Sequence, residues 1–467
     1  MVLDVVKTGA GNVSGMVSGE SGQEVYVFRG VPYAAPPVGA LRWKLPQLPV
    51  PWSGTRACTA FSAQAPQGPR YPSASGMGED CLYLNIHTSN LKPDAKLPVM
   101  VWMHGCGFAE GSGNWEMYNF PGLAQHGTVL VNVNMRLQVI GLMAHSLLSK
   151  ESPYGVSGNY MILDMIQALK WVQKNITSFG GDPNNVTIFG ESGGGNKVVC
   201  LLASPLAKGL FHRAIIESGA QDMSFPLKTL EANGDKLFAA LGVDKAKDPM
   251  AAARAISWED VLSVDRELTK AMDVKIPGMI PHDGDLWDAA VDGWCLTGRP
   301  HDILRAGQQN RVPVIIGANL GETKGISFTI PNYVRILSGI GKTGVKSYAY
   351  IFDQVPAGWR RQGCRAFHGI ELPYVFGAGN DVRTWEHMIE NAVMTGLRNA
   401  KASEAGYSEG DAQVSELVLK MWTEFARTGN PNIKGLVDWP EYDESNGSYL
   451  YISEKPEARK GFATVKE

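Results

Sequence analysis

No charge of one sign dominates this chain: 43 lysines and arginines face 46 aspartates and glutamates, a formal net charge of −3. That balance removes the electrostatic case for a nucleic acid or an anionic membrane surface as partner. No stretch approaches the ~18 uninterrupted apolar residues that a membrane span requires. Cysteine is sparse and scattered, at positions 58, 81, 106, 200, 295 and 364, with no CxxC pair and no metal-ligand spacing. The opening residues, MVLDVVKTGAGNVSG, lack a basic start, a long apolar run and a small-residue cleavage site. Six reduced thiols in a cytoplasmic protein are therefore expected, with a secreted form stripped of its signal as the alternative. Internal repeats, low-complexity tracts and an obvious linker are also missing, so one catalytic domain over 1–467 is the simplest organisation.

What is present is a composition able to fill a large core, 44% hydrophobic and 19% charged. Strand-like runs alternate with helical ones, the pattern of an α/β sheet with crossover helices. Strands are expected at about 97–103, 127–133, 186–189, 213–219, 312–319 and 448–453. Met161, Ile162, Met165, Ile166, Leu169, Val172 and Ile176 recur at helical spacing, as do Val414, Leu417, Val418, Met421, Trp422 and Phe425 before Gly429. Residues 225–300 and 325–365 are less regular and read as helical or loop insertions above the sheet.

The chemistry concentrates at VTIFGESGGGNKV, residues 186–198, where a β-branched run meets Gly-Glu-Ser-Gly-Gly-Gly. A strand, a sharp turn and a helix around Gly-x-Ser-x-Gly make a nucleophile elbow. The flanking glycines are needed because the serine backbone is strained where strand and helix crowd together. Ser192 then stands at a helix N-terminus, whose N–H groups can bind an oxyanion. A glycine-flanked serine also occurs in ordinary turns, so the partners decide. A hydroxyl nucleophile needs a base, and the base a carboxylate, downstream in the order acid then histidine. Histidines 212, 282, 301, 368 and 387 follow Ser192. His368 lies in AFHGIELPYVF, and Glu322 follows a buried strand in IIGANLGETKG, where sheet-end catalytic groups belong. Taken singly, either is more often structural. In VMVWMHGCGF (99–108), a strand runs into His-Gly-x-Gly-Phe, which leaves backbone N–H groups unobstructed for an oxyanion hole. His104 itself reads as a buried structural histidine.

These segments resemble type-B carboxylesterases, the group that includes bacterial para-nitrobenzyl esterases and animal cholinesterases. The resemblance runs nearly end to end, through FRGVPYAAPPVGALRWKLP (28–46), GEDCLYLNIHT (78–88), HGCGF and NITSFGGDPNNVTIFGESGGG (175–195). It continues through IIGANLGET, FHGIELPYVF and FARTGNPN (425–432). It implies the α/β-hydrolase fold, with Ser192 as nucleophile, Glu322 as acid and His368 as general base. The implied oxyanion donors are the backbone N–H groups of Cys106, Gly107 and Gly193. Glu191 and Ser218 match buried residues behind the site.

Several positions depart from the family pattern. Relatives usually carry glycine at Cys106 and alanine at Gly193, changes a backbone donor should survive. Many have a disulfide ending at the Cys81 position, whose usual partner position is Ala65 here. NMRLQVIG (134–141) replaces a more usual Asn-Tyr-Arg-Leu-Gly. Only 46 residues separate Glu322 from His368, fewer than relatives generally have, which puts the acid's placement in question.

The implied reaction is ester hydrolysis through an acyl-enzyme, with no metal and no organic cofactor, on a small-molecule ester. The rivals are amide or thioester hydrolysis on the same three residues, and a non-catalytic binding module. The pattern leaves monomer and dimer equally open. Trp115, Tyr118, Phe120, Phe328 and Tyr333 are candidate pocket liners, and Tyr71 is the nearest match to a choline-binding tryptophan, a specificity given little weight. Short-to-medium acyl esters of simple or aromatic alcohols are the expected substrates.

Overall fold

Buried strands in the chain's centre carry apolar side chains on both faces, and successive residues point to opposite sides. Val314 and Ile316 enter one apolar layer while Ile315 enters the other. Such strands need a helical layer on each face, and the chain supplies both. The computed structural model describes residues 5–19, 21–68, 75–272, 286–322, 325–394 and 401–466.

The central sheet has eleven strands. In chain order they are β1 (Met16–Ser18), β2 (Val25–Pro32), β3 (Tyr83–Thr88), β4 (Leu97–Met103), β5 (Val129–Val133) and β6 (Gly181–Glu191). They continue with β7 (Arg213–Glu217), β8 (Val314–Asn319), β9 (Ser347–Phe352), β10 (Tyr449–Ile452) and β11 (Glu457–Arg459). Their spatial order is β11-β10-β9-β8-β7-β6-β4-β5-β3-β2-β1. The run from β5 to β10 is parallel, and antiparallel strands close both edges. This is the large, mostly parallel sheet of an α/β-hydrolase fold.

Helices α1 (Tyr160–Asn175) and α2 (Gly193–Ala203) cover one face, packing Met161, Met165, Leu169, Val198 and Leu201 against Val101, Ile188 and Ile216. Between them and the C-terminal helix come α3 (Leu227–Ala240), α4 (Trp258–Met272) and α5 (Ile326–Gly341). Helix α6 (Glu409–Thr428) covers the other face with Val414, Val418, Met421, Trp422 and Phe425, over Met100, Trp102, Phe189 and Ile215. It opens on a Ser408–Asp411 capping box and ends at Gly429 in the left-handed region, φ 80°.

The regions read as insertions divide. Residues 225–300 hold α3, α4 and a shorter helix, with a small parallel pair, Ser224–Pro226 beside Ala289–Val291. Within 325–365, however, β9 lies inside the central sheet between β8 and β10. Its SYAYIF is a short, wholly buried run, which no periodicity separates from loop or helix. No helix among the described residues is long and apolar enough to cross a membrane. Cys81 carries a free thiol beside a core that also buries Ala65.

Candidate active site

Four neighbouring strands deliver the candidate residues at their carboxyl ends: β4 before His104–Gly107, β6 before Ser192, β7 before Ser218 and β8 before Glu322. At the elbow, Ser192 has φ 57° and ψ −122°, outside the ordinary regions for an L-residue, and caps α2. The crowding that forces glycine beside it is direct. A Cβ on Gly190 would sit 2.5 Å from the Gly194 carbonyl carbon and 2.7 Å from the Met103 carbonyl oxygen. The Ser192 N–H donates to the Glu217 carbonyl at 2.8 Å, which ties the turn to β7.

Glu322 and His368 meet. His368 Nδ1 lies 2.7 Å from Glu322 Oε2, while the other carboxylate oxygen accepts from the Asn319 N–H at 3.2 Å. The two loops are themselves joined by the Gly321 N–H donating to the Ala366 carbonyl at 2.8 Å. A separation of 46 residues is thus closed by backbone pairing as well as by the side chains. On the opposite side of the ring, Nε2 lies 3.2 Å from Glu191 Oε1, the residue before Ser192. Burial works against charge on this imidazole, but the flanking Glu322 and Glu191 carboxylates outweigh it and raise its pKa.

Ser218 and Glu191 both sit in a buried carboxylate network. Ser218 Oγ donates to Glu371 Oε1 at 3.0 Å and accepts from Asn319 Nδ2 at 3.3 Å, and Asn319 Nδ2 also donates to Glu371 Oε2. Burial raises the pKa of Glu191, Glu371 and Glu217 alike, with neighbouring carboxylates adding to the effect. Glu217 is held from the far layer by Trp422 Nε1, which donates to Oε1 at 2.6 Å. Sequence reasoning missed Glu371, Asn319 and Glu217. The only available signal was Glu371's position three residues after His368.

The His104–Gly107 loop lies against the elbow. A Cβ on Gly105 would be 3.5 Å from Ser192 Cβ and 3.0 Å from both Glu191 O and Oε2. Cys106, half-buried, adopts φ 63°, and Gly107 follows with φ 61°. Gly193 opens α2 directly beneath Gly107. His104 is fully buried, with Nδ1 3.2 Å from the Gly105 carbonyl oxygen. Burial and then the nearby Lys197 hold it well below the usual imidazole range, so it stays neutral.

The remaining candidates fall elsewhere. His212 Nδ1 accepts from the Val186 N–H at 3.1 Å, His301 Nε2 lies 2.7 Å from the Ala220 carbonyl, and His387 packs on Trp115 at 4.6 Å. His282 and Tyr71 lie outside the described residues. Among the candidate liners, Trp115, Tyr118 and Phe120 pack on the α6-side core, and Phe328 is 45% exposed on α5. Tyr333 is the exception. It is fully buried, and Glu322, Glu371 and Glu191 add to the rise that burial gives its pKa.

The chain matches the carboxylesterase family over residues 3–339 and 323–466. It is 33% identical to fumonisin B1 esterase of Sphingopyxis macrogoltabida, over 92% of this chain and 84% of that protein. It is 30% identical to the para-nitrobenzyl esterase of Bacillus subtilis (strain 168), over 96% of each. Among solved structures, a PNB esterase superposes with TM-score 0.81 at 27% identity, covering 98% of this chain and 97% of that one. A thermophilic PNB esterase gives TM-score 0.79 at 28% identity, with the same coverage. The chain belongs to the carboxylesterase family of enzymes.

Proposed function

We propose that this enzyme hydrolyses small carboxylic esters through an acyl-enzyme on Ser192, as one catalytic domain. His368 takes the serine proton as Oγ attacks the ester carbonyl, and Glu322 holds the ring through Nδ1. The backbone N–H groups of Cys106, Gly107 and Gly193 receive the oxyanion of the tetrahedral intermediate. His368 then protonates the departing alcohol, and the same imidazole activates the water that releases the carboxylic acid. The observation that carries the reading is the 2.7 Å contact between Glu322 and His368 Nδ1, with the opposite ring nitrogen turned toward the residue preceding Ser192.

The strained elbow supports the same assignment, since positive φ at a non-glycine persists only where surroundings enforce it. Relatives named for fumonisin B1 and para-nitrobenzyl esters favour esters over amides, and short-to-medium acyl esters of simple or aromatic alcohols are the substrates to try first. The test is covalent labelling with a fluorophosphonate, followed by peptide mapping, alongside matched ester and anilide turnover. A single adduct on Ser192 and faster ester hydrolysis are expected. No adduct would favour a binding module, and a preference for the anilide would favour an amidase.

A further inference from the structure

The least explained charge in the molecule is Lys197. It sits in the second turn of α2, fully buried, and no carboxylate among the described residues pairs with it. A buried, unpaired ammonium is costly and is seldom kept without a task. Its Nζ donates to the His104 carbonyl at 2.8 Å and to the Gly107 carbonyl at 2.9 Å. Those carbonyls bracket the peptides whose N–H groups belong to Cys106 and Gly107. One cation therefore grips the loop immediately before and immediately after its two candidate oxyanion donors. The Phe108 ring lies 5.8 Å from the same nitrogen, and the lysine is wholly buried.

The loop needs such a grip. Cys106 is a non-glycine held at φ 63°, a conformation the chain leaves when it is released. The seat is also close on its other side. A Cβ on Gly193 would lie 2.2 Å from the Gly107 oxygen, 2.4 Å from its nitrogen and 2.5 Å from its Cα. In this chain the lack of a Cβ at 193 lets the Gly107 peptide rest where the ammonium holds it, whereas the alanine usual in relatives would press on that peptide. Burial pushes Lys197 down to about 7, with the thiols of Cys106 and Cys200 drawing it partly back, so holding the charge there works against solvation.

We propose that Lys197 is a positioning residue for the oxyanion loop, clamping the carbonyls of His104 and Gly107 so that the Cys106 and Gly107 N–H groups face Ser192. Gly193 is its steric counterpart. The inference rests on the function proposed above and adds to it how the hole is held.

The experiment compares wild type, Lys197→Met, Gly193→Ala and the double variant. It reads kcat and KM on a nitrophenyl acyl ester, and affinity for an aryl trifluoromethyl ketone, whose serine adduct is an oxyanion. Outright loss of one oxyanion donor costs ~10²–10³ in turnover. A loosened loop keeps its donors, so Lys197→Met should lower kcat by ~10–100-fold, leave KM within ~3-fold and weaken the ketone by the factor lost in kcat. Gly193→Ala should do the same alone, yet cost much less on top of Lys197→Met, because the released loop can move off the new methyl. Wild-type kcat and ketone affinity in a folded Lys197→Met enzyme would overturn the proposal, as would strictly multiplicative effects in the double variant. If Lys197→Met does not fold, Gly193→Ala decides: full kcat and full ketone affinity there would show a loop that is not held. Wild-type enzyme that neither turns over the ester nor binds the ketone would instead count against the function reading itself.

Discussion

The two sides of the site are held by opposite means. The base side is a mesh of side chains: His368 lies between Glu322 and Glu191, and Ser218 and Asn319 both bond Glu371 behind them. The oxyanion side is almost all backbone, so close that a Cβ on Gly193 would fall within 2.5 Å of the Gly107 nitrogen, oxygen and Cα. A proton acceptor must keep its tautomer and its basicity, and both depend on which side chains surround it. A backbone donor depends only on where its peptide lies. The first side should be intolerant of side-chain changes, and the second tolerant wherever the peptides stay put.

Removing the nucleophile is the coarsest way to test that contrast. Ser192→Ala should lower kcat by ~10⁶, the loss seen when a hydrolytic serine is deleted, while the far-UV spectrum and KM-like binding of a slow substrate persist. Residual turnover above ~1% of wild type would mean that another group performs the chemistry. On the base side, Glu322→Gln keeps the shape and removes the charge from His368 Nδ1. A tautomer left unfixed costs ~10⁴ in kcat, measured by steady-state rates at the optimum pH. A loss under tenfold would move the acid's role to another carboxylate, with Glu191, 3.2 Å from Nε2, and Glu371, bonded to Asn319, as the alternatives.

Glu191→Gln asks for a shift rather than a loss. The Glu191 carboxylate lies 3.2 Å from His368 Nε2 and favours the charged imidazolium. The neutral ring is the working base, so activity rises as pH climbs through the histidine's pKa. Without the Glu191 charge that pKa falls, and the acidic limb of kcat/KM moves to lower pH by about one unit. A limb that stays in place, or moves upward, would show that this carboxylate carries no charge beside the ring.

The same division explains what was legible in the sequence. Gly190, Ser192 and Gly194 announce themselves because a turn this tight admits few residue types, and the strand and helix around it follow from local patterning. Glu322 was findable as a polar residue in a loop directly after a buried strand, and His368 as one in a small-residue loop before an aromatic segment. Glu217 was not, because its partner Trp422 lies 205 residues away on the opposite layer. Lys197 was invisible for a related reason: a lysine on a helix is ordinarily a solvated residue, and only the folded chain shows two carbonyls closing over it. Strand β9 was missed because its SYAYIF, buried on both faces like β5 and β8, has one β-branched residue where they have runs of valine and isoleucine.

Cys106→Gly gives the smallest expected effect and the sharpest reading of the backbone side. The proposed donor at 106 is the backbone N–H, which remains in glycine. Glycine relieves a positive φ worth about 1 kcal/mol or a little more, and loses roughly 0.5–1 kcal/mol to its freer unfolded chain. These nearly cancel, so Tm should stay within ~2 °C by calorimetry and kcat within ~3-fold, provided that the carbonyls of His104 and Gly107 are still gripped from below. A large fall in kcat would mean that the thiol, and not the peptide, does the work at this position. The contrast between a side-chain half and a backbone half of the site would then be wrong at its clearest point.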